Sequence, residues 1–268
     1  MKVLDIKKDT IFKSFMISKN TNTYKARLIH LITGIPEEDL KNAIYQSLEH
    51  PINKDREKVY KTDIITTISS HILSIEMNKQ YYEDAIIKNS NYRSKIISES
   101  LKSGESYIDQ KQVIQINFDN YHIYTGSKII YEFRMSEKDT SEEEYSNSSI
   151  SYHIDLENLK SYNEHSELKE LLEIFIKDDT DGLGGTKAMD EAINELERLS
   201  QDEGIIGLYD AELLQEKHEK SIRQEGIKEG SKEKSIEITK NLLNMNMSID
   251  DIMKATGLSI EEINQIKD

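Results

Sequence analysis

No cysteine occurs anywhere in the 268 residues. That excludes a disulfide framework, a thiolate nucleophile and a zinc–sulfur site. No run approaches the ~18 uncharged apolar residues that a membrane-spanning helix needs. The opening MKVLDIKKDTIFK is charged throughout and lacks the apolar stretch of a secretory signal. The expectation from these absences is a cytoplasmic protein with no membrane partner. No glycine-rich phosphate loop and no Ser–His–Asp order is present, and the seven histidines show no ligand spacing. DDTDGLGG, residues 178–185, offers aspartates like those of a calcium loop but has neither the EF-hand spacing nor its closing glutamate. It reads as a flexible break.

Positive charge is scarce in one half only. Residues 1–125 carry 18 Lys and Arg against 16 Asp and Glu, whereas residues 126–268 carry 17 against 34. The net charge of −15 therefore comes from the second half, and a basic working surface remains open to the first. Apolar residues make up 36% of the chain and charged residues 32%, enough to bury a core while leaving solvated helices and loops.

The hydrophobic pattern predicts a mixed α/β core. KKDTIFKSFMISKNTNTYKARLIHLITG predicts a helix carrying Phe12, Phe15, Leu28, Leu31 and Ile32, stopped by Gly34 and Pro36. DLKNAIYQSLEHPIN is irregular or strand-like. VYKTDIITTI and HILSIEMN alternate with period two and predict a hairpin. Residues 80–103 predict an amphipathic helix through Tyr82, Ala85, Ile86, Ile96 and Ile97, with Gly104 as its C-cap. QVIQINFDNY, 112–121, predicts a further strand, so the order is helix, hairpin, helix, strand.

Beyond that core, EKDTSEEEYSNSS is a solvated loop, SISYHIDLENL a strand or an edge, and HSELKELLEIFIKD a helix. TKAMDEAINELERLSQDEG and 210–245 predict long polar helices. The last 22 residues carry two capping-box spacings, Ser248 to Asp251 and Ser259 to Glu262, around Gly257, and predict a short helix–turn–helix. Its second helix, SIEEINQIKD, sets one lysine against three acids, which suits contact between proteins better than phosphate neutralisation. The expected divisions are a core over 1–125, an extension with the acidic loop and a helix over 126–182, a helical acidic region over 183–245 and the helix–turn–helix over 246–268.

The hairpin holds an unusual pair of acids. With a turn at Ser69–Ser70, opposed residues have numbers summing to 139, so Asp63 faces Glu76, Ile64 faces Ile75 and Thr62 faces Met77. Cross-strand Cβ atoms lie roughly 4.5–5.5 Å apart. Two ionised carboxylates that close repel each other, and a divalent cation removes the conflict. Mg2+ takes oxygen ligands, usually one or two carboxylates with water and substrate phosphate. Two surface acids on an exposed sheet face would show the same spacing. Asp9 and Lys13, four apart on a helix, have the spacing of a helical ion pair.

Asp63 followed by IEMN at 75–78 resembles the PD-(D/E)XK nuclease superfamily, and more closely its recombination-promoting nuclease, or PD-(D/E)XK nuclease family transposase, group. DTIFKSF, 9–15, is similar to that group's Asp-x-x-Phe-Lys opening. SIEMN is similar to its strand ending Ile-Glu-Met-Gln/Asn. NYRSKIISESLKSGESYIDQKQVIQINF, 91–118, is similar to its Arg-containing helix, Gly-x-x-Tyr turn and following strand, and EGIKEG and MSIDDIMKATGLSIEEI to its tail.

The resemblance implies a restriction-endonuclease-like mixed sheet flanked by helices, with a helical C-terminal extension. It also implies a Mg2+-dependent (or Mn2+-dependent) DNA endonuclease that hydrolyses phosphodiester bonds and promotes recombination. Asp63 and Glu76 would be its metal ligands and catalytic acids. Asn78 stands at the catalytic position that carries lysine elsewhere in the superfamily, and being neutral it cannot act as an ammonium does. By the hairpin register Lys61 faces Asn78 and is the expected replacement, or else an ordinary solvated lysine. Lys13 and Arg93 are expected phosphate contacts, and Tyr107 a packing residue. DNA and a second copy of the chain, joined through the helical C-terminal half, are the expected partners. Two other classes stay open: a DNA-binding or regulatory protein of the same fold weakened in catalysis by Asn78, and an oligomeric interaction protein. No DDE-type triad is present, so transposition itself is not expected.

Overall fold

A computed structural model describes residues 1–49, 61–101, 103–140 and 149–267. Six strands form one sheet: β1 (Gln46–Glu49), β2 (Lys61–Thr67), β3 (His71–Asn78), β4 (Gln112–Asp119), β5 (Ile130–Phe133) and β6 (Ser149–Asp155), in the order β1-β2-β3-β4-β6-β5. β1–β2, β2–β3 and β5–β6 are antiparallel, while β3–β4 and β4–β6 are parallel. The expected mixed sheet is present. The segment SISYHIDLENL is not at its edge: β6 lies inside, between β4 and β5.

Parallel strands need crossover connections that lay helices on the sheet. Here α4 (Ala85–Glu99) links β3 to β4. It is shorter than the sequence pattern suggests and ends at Glu99, so Gly104 does not cap it. Tyr82 and Ile86, read as apolar-face positions, are exposed at 54% and 48%. The buried stripe of α4 is instead Ala85, Asn89 and Ile96.

The two sheet faces differ in kind. One is apolar: Ile64, Ile75, Ile116, Phe118 and Ile154 join Phe12, Phe15 and Phe175 in the main core. Phe118 stacks on Phe175 with ring centroids 4.7 Å apart and meets Phe12 edge-on at 6.1 Å. The other face buries Ser74, Glu76, Gln115, Asn117, Asp119, Ser151, His153 and Asp155, with a small apolar cluster of Ile72, Ile96 and Val113 at one end.

Residues 7–34 do not form a single helix. α1 (Asp9–Ile17) and α2 (Asn22–Thr33) are separated by Ser18 and a 3-10 turn, Lys19–Thr21. Short polar side chains there take the backbone's hydrogen bonds. Ser18 Oγ accepts from Asn20 N, and the Thr21 hydroxyl lies 2.9 Å from Phe15 O and 3.0 Å from Ser18 O. Lys25 of α2, fully buried, donates to Met16 O at 2.8 Å and Ser18 O at 2.7 Å, carbonyls that the end of α1 leaves open. α2 ends as the sequence indicates, with Gly34 in the left-handed region at φ +78°.

After a short α3 (Glu37–Leu40) and the sheet, the first compact unit closes with α5 (Leu156–Ser161), α6 (Glu167–Leu172), α7 (Lys187–Leu199) and the start of α8 (Glu203–Asn244). That unit is Met1–Tyr209, running past the divisions drawn at 125 and 182. The second unit, Asp210–Asp268, holds the rest of α8 with α9 (Ile249–Thr256) and α10 (Ile260–Lys267). Ile252, Ile263 and Thr239 are its buried side chains. Both capping spacings form: Ser248 Oγ accepts from Asp251 N, and Ser259 Oγ from Glu262 N, each at 3.2 Å. Among the described residues no helix is long and apolar enough to cross a membrane.

Burial lowers the Lys25 ammonium from the ordinary lysine value of 10.5 to about 7, opposed by the charge of Glu195. Between those values the unfolded chain holds the extra proton, so stability climbs as pH rises from about 7 toward 10. Urea unfolding of the wild type across that window is expected to show the climb, and Lys25→Met to lack it.

Candidate active site

The site begins with a turn. Ile68 N donates to His71 O at 3.0 Å, leaving Ser69 and Ser70 as a two-residue connection. Ile64 pairs with Ile75 and Thr67 with Ile72, so the register is the one in which paired numbers sum to 139. Ile64 and Ile75 enter the main core. Side chains alternate along a strand, so their neighbours Asp63 and Glu76 emerge together on the polar face.

Both carboxyls are sequestered. Glu76 is 4% exposed and accepts from Ser74 Oγ at 3.2 Å. Asp63 is partly buried and accepts from the Met77 amide at 2.9 Å. Desolvation, and then repulsion from Asp63, push the Glu76 carboxyl well above the ordinary range. Desolvation also raises Asp63, while the Met77 amide and Lys13 pull against it.

Lys13 of α1 brings a cation to the pair: its Nζ lies 2.9 Å from Asp9 Oδ2 and 3.9 Å from Asp63 Oδ1. The Asp9–Lys13 ion pair read from the sequence thus forms beside Asp63. The positive charge of Lys88, on α4, also favours the ionised form of both acids.

Asn78 shares the sheet face of Glu76, two residues on. Its Nδ2 donates to Asp119 Oδ1 at 2.8 Å. The other oxygen of Asp119 lies 2.8 Å from His153 Nδ1, and both residues are buried. Lys61 opens β2 and pairs with Glu49 through the backbone, and its side chain lies outside the described residues. Arg93 is half-buried on α4, its guanidinium lowered by desolvation. The neighbour that acts on it is the phenol of Tyr124. Tyr107 does not pack: it is 87% exposed.

Sequence reasoning missed Asp119, Asn117, Gln115, His153 and Lys88. The first three were visible as alternate polar positions in QVIQINFDNY but drew no functional reading. His153 needs the tertiary register, in which it pairs with Asn117 across β4 and β6. Lys88 adjoins Asn89, which faces inward from α4.

The donor set fits a hard divalent cation. The buried carboxyl of Glu76 and the partly buried carboxyl of Asp63 supply oxygen, the chain has no cysteine sulfur, and among the described residues no ion pair to Glu76 is formed. Among the described residues no three of His, Asp and Glu are grouped to hold a metal ion. A cation here would take two carboxylates and fill its other positions from water and phosphate, the habit of Mg2+.

A mixed sheet with paired acids on adjacent strands, a crossover helix and flanking helices defines a nuclease-like α/β fold. The family model described as PD-(D/E)XK nuclease family transposase matches residues 6–226, and the chain belongs to that family. No curated protein matches the chain.

Burying like charges stores unfavourable energy that a neutral isostere releases. In EDTA, Glu76→Gln is expected to raise Tm by about 3 °C or more. With Mg2+ or Mn2+ added, wild type gains stability through linkage and the variant does not. Differential scanning calorimetry with and without cation reads both effects.

Proposed function

We propose that the chain is a divalent-metal-dependent DNA endonuclease. The observation that carries this reading is the β2–β3 register, which brings the buried Glu76 and the partly buried Asp63 out on the same sheet face. Membership of a nuclease family and the donor chemistry of the pair support it. Asp63 and Glu76 hold the cation, with Mg2+ as the expected metal and Mn2+ as a substitute. A cation held there would supply Lewis-acid chemistry, polarising the scissile phosphate and lowering the pKa of an attacking water.

The chain's own residues supply the rest. The Met77 amide and Ser74 hydroxyl each hold one carboxyl oxygen, so the acids are oriented before any ligand arrives. Lys13 brings an ammonium to the outer side of Asp63, where it can meet the charge that develops on phosphate. Asp9 holds that ammonium in place. Lys61 remains the second candidate for the same role, since it lies two residues from Asp63 on one strand. Arg93 serves as a more distant phosphate contact: it is half-buried, and no described carboxylate pairs with it.

A second reading, DNA binding without efficient cleavage, draws on Asn78. Its amide nitrogen is already committed to Asp119 and cannot act as a free ammonium would. Binding and cleavage assays on the same DNA separate the two readings.

Supercoiled plasmid incubated with protein and Mg2+ is expected to be nicked, and EDTA to stop it. Asp63→Asn and Glu76→Gln are expected to abolish nicking while DNA binding by gel shift persists. Absence of metal-dependent nicking in the wild type would favour the second reading.

Lys13→Met keeps the aliphatic stem and removes the charge. It is expected to lower kcat on the order of 10²-fold with metal affinity near normal. If Lys13→Met cleaves like wild type and Lys61→Met does not, the ammonium comes from β2 instead.

A further inference from the structure

Asn78 occupies the position that carries lysine elsewhere in the superfamily, and its hydrogen bond fixes which way its carboxamide faces. A carboxylate can only accept hydrogen bonds. The atom of Asn78 that lies 2.8 Å from Asp119 Oδ1 is therefore the amide nitrogen. Asp119 is locked in turn by His153 Nδ1 at 2.8 Å on its other oxygen, with the pair nearly inaccessible to water. Asp119 belongs to β4, on one side of β3, while β2 with Asp63 lies on the other. With its nitrogen committed to Asp119 on β4, Asn78 has its carbonyl oxygen left to serve another partner.

A second carboxamide repeats the arrangement. Asn117 pairs with Glu76 across β3 and β4. Its Nδ2 donates to the Tyr152 carbonyl of β6 at 3.1 Å. Its Oδ1 is buried without a hydrogen-bond partner. The amide nitrogen is committed to β6, so this oxygen is the unused end of a carboxamide whose residue stands beside Glu76 in the ladder. A buried acceptor without a donor is costly, so it points to a donor that arrives with a ligand.

Resting on the metal-site reading above, we infer that Asn78 Oδ1 is a third protein oxygen ligand of the divalent cation, oriented by the Asp119–His153 pair, and that Asn117 Oδ1 accepts a hydrogen bond from a water of the same ion. Asn78 is then not a defective lysine. A carbonyl oxygen is a hard, neutral ligand of the kind Mg2+ and Mn2+ accept. The ammonium that lysine would supply comes from another element, and Asp119 acts as a positioning residue that prevents the carboxamide from flipping.

Mn2+ affinity measured by isothermal titration calorimetry on the full chain, without DNA, tests this apart from cleavage. Asn78→Ala and Asn78→Lys are expected to weaken Mn2+ binding, and Asp119→Asn to weaken it about 10- to 100-fold, the usual cost of losing a residue that orients a ligand. The exchange Asn78→Asp with Asp119→Asn reverses the hydrogen bond and keeps an oxygen toward the cation, so it is expected to restore affinity to the wild-type level or better. A merely structural role for Asp119 would not be rescued by that exchange. If Asn78→Ala binds Mn2+ like wild type while Glu76→Gln does not, the inference falls and the carboxylate site stands. If Glu76→Gln also binds like wild type, the metal site itself falls.

Discussion

The register of one hairpin governs the whole polar face of the sheet. Strand side chains alternate with a period of two, so a slip of one residue between β2 and β3 would carry Asp63 or Glu76 to the opposite face. That face holds Phe12, Phe118 and Phe175, and an acid there would meet no donor. The two-serine turn sets the register, and the apolar residues on either side of the acids enforce it. Ile64 and Ile75 are almost completely buried, so the slip would also bring one of them into a polar layer. Site and core are therefore specified by the same few residues, and neither can shift without the other.

A buried layer of carboxyls, carboxamides and imidazoles needs support from both sides. Hydrogen bonds within the sheet supply part of it: Ser74 to Glu76, Asn78 to Asp119, and His153 with Asp119. Cations delivered by helices add to it. Lys13 reaches Asp63 only because α1 packs beside β2, and the C-terminal end of α1 is tied down by the buried amine of Lys25. A lysine that never touches the site thus helps to place one that does.

Much of this was legible in the sequence, for reasons that differ by element. Alternation in KTDIITTISSHILSIEMN gave the hairpin and its pairing because a two-residue turn leaves a single register. The capping serines gave α9 and α10 because the cap chemistry is local. The long helix read over residues 7–34 failed because Ser18 and Thr21 break it through side-chain bonds that periodicity does not register. Ile86 and Tyr82 of the α4 pattern were assigned to the wrong face, since the helix buries an asparagine against a polar sheet rather than a leucine against an apolar one. The site read from the sequence contained the acids but not Asp119 or His153. Their roles depend on parallel pairing between strands separated by some thirty or more residues, which no local pattern encodes. The family resemblance bridged part of that distance by supplying an order of motifs, and the family match covers most of the same span.

β5 is only four residues long and lies at the sheet's outer edge, with Tyr131 opposite His153. It is the single layer of backbone between β6 and that edge, and Tyr124 closes over it against Tyr131, Phe133 and His153. Short edge strands open most readily, well below the energy of global unfolding. Each such opening lets water reach His153 and, through it, the clamp on Asp119. Order around Asn78 is thus tied to the rim of the sheet, three strands from β3, so a short edge strand acts as a seal on the fold's most polar interior.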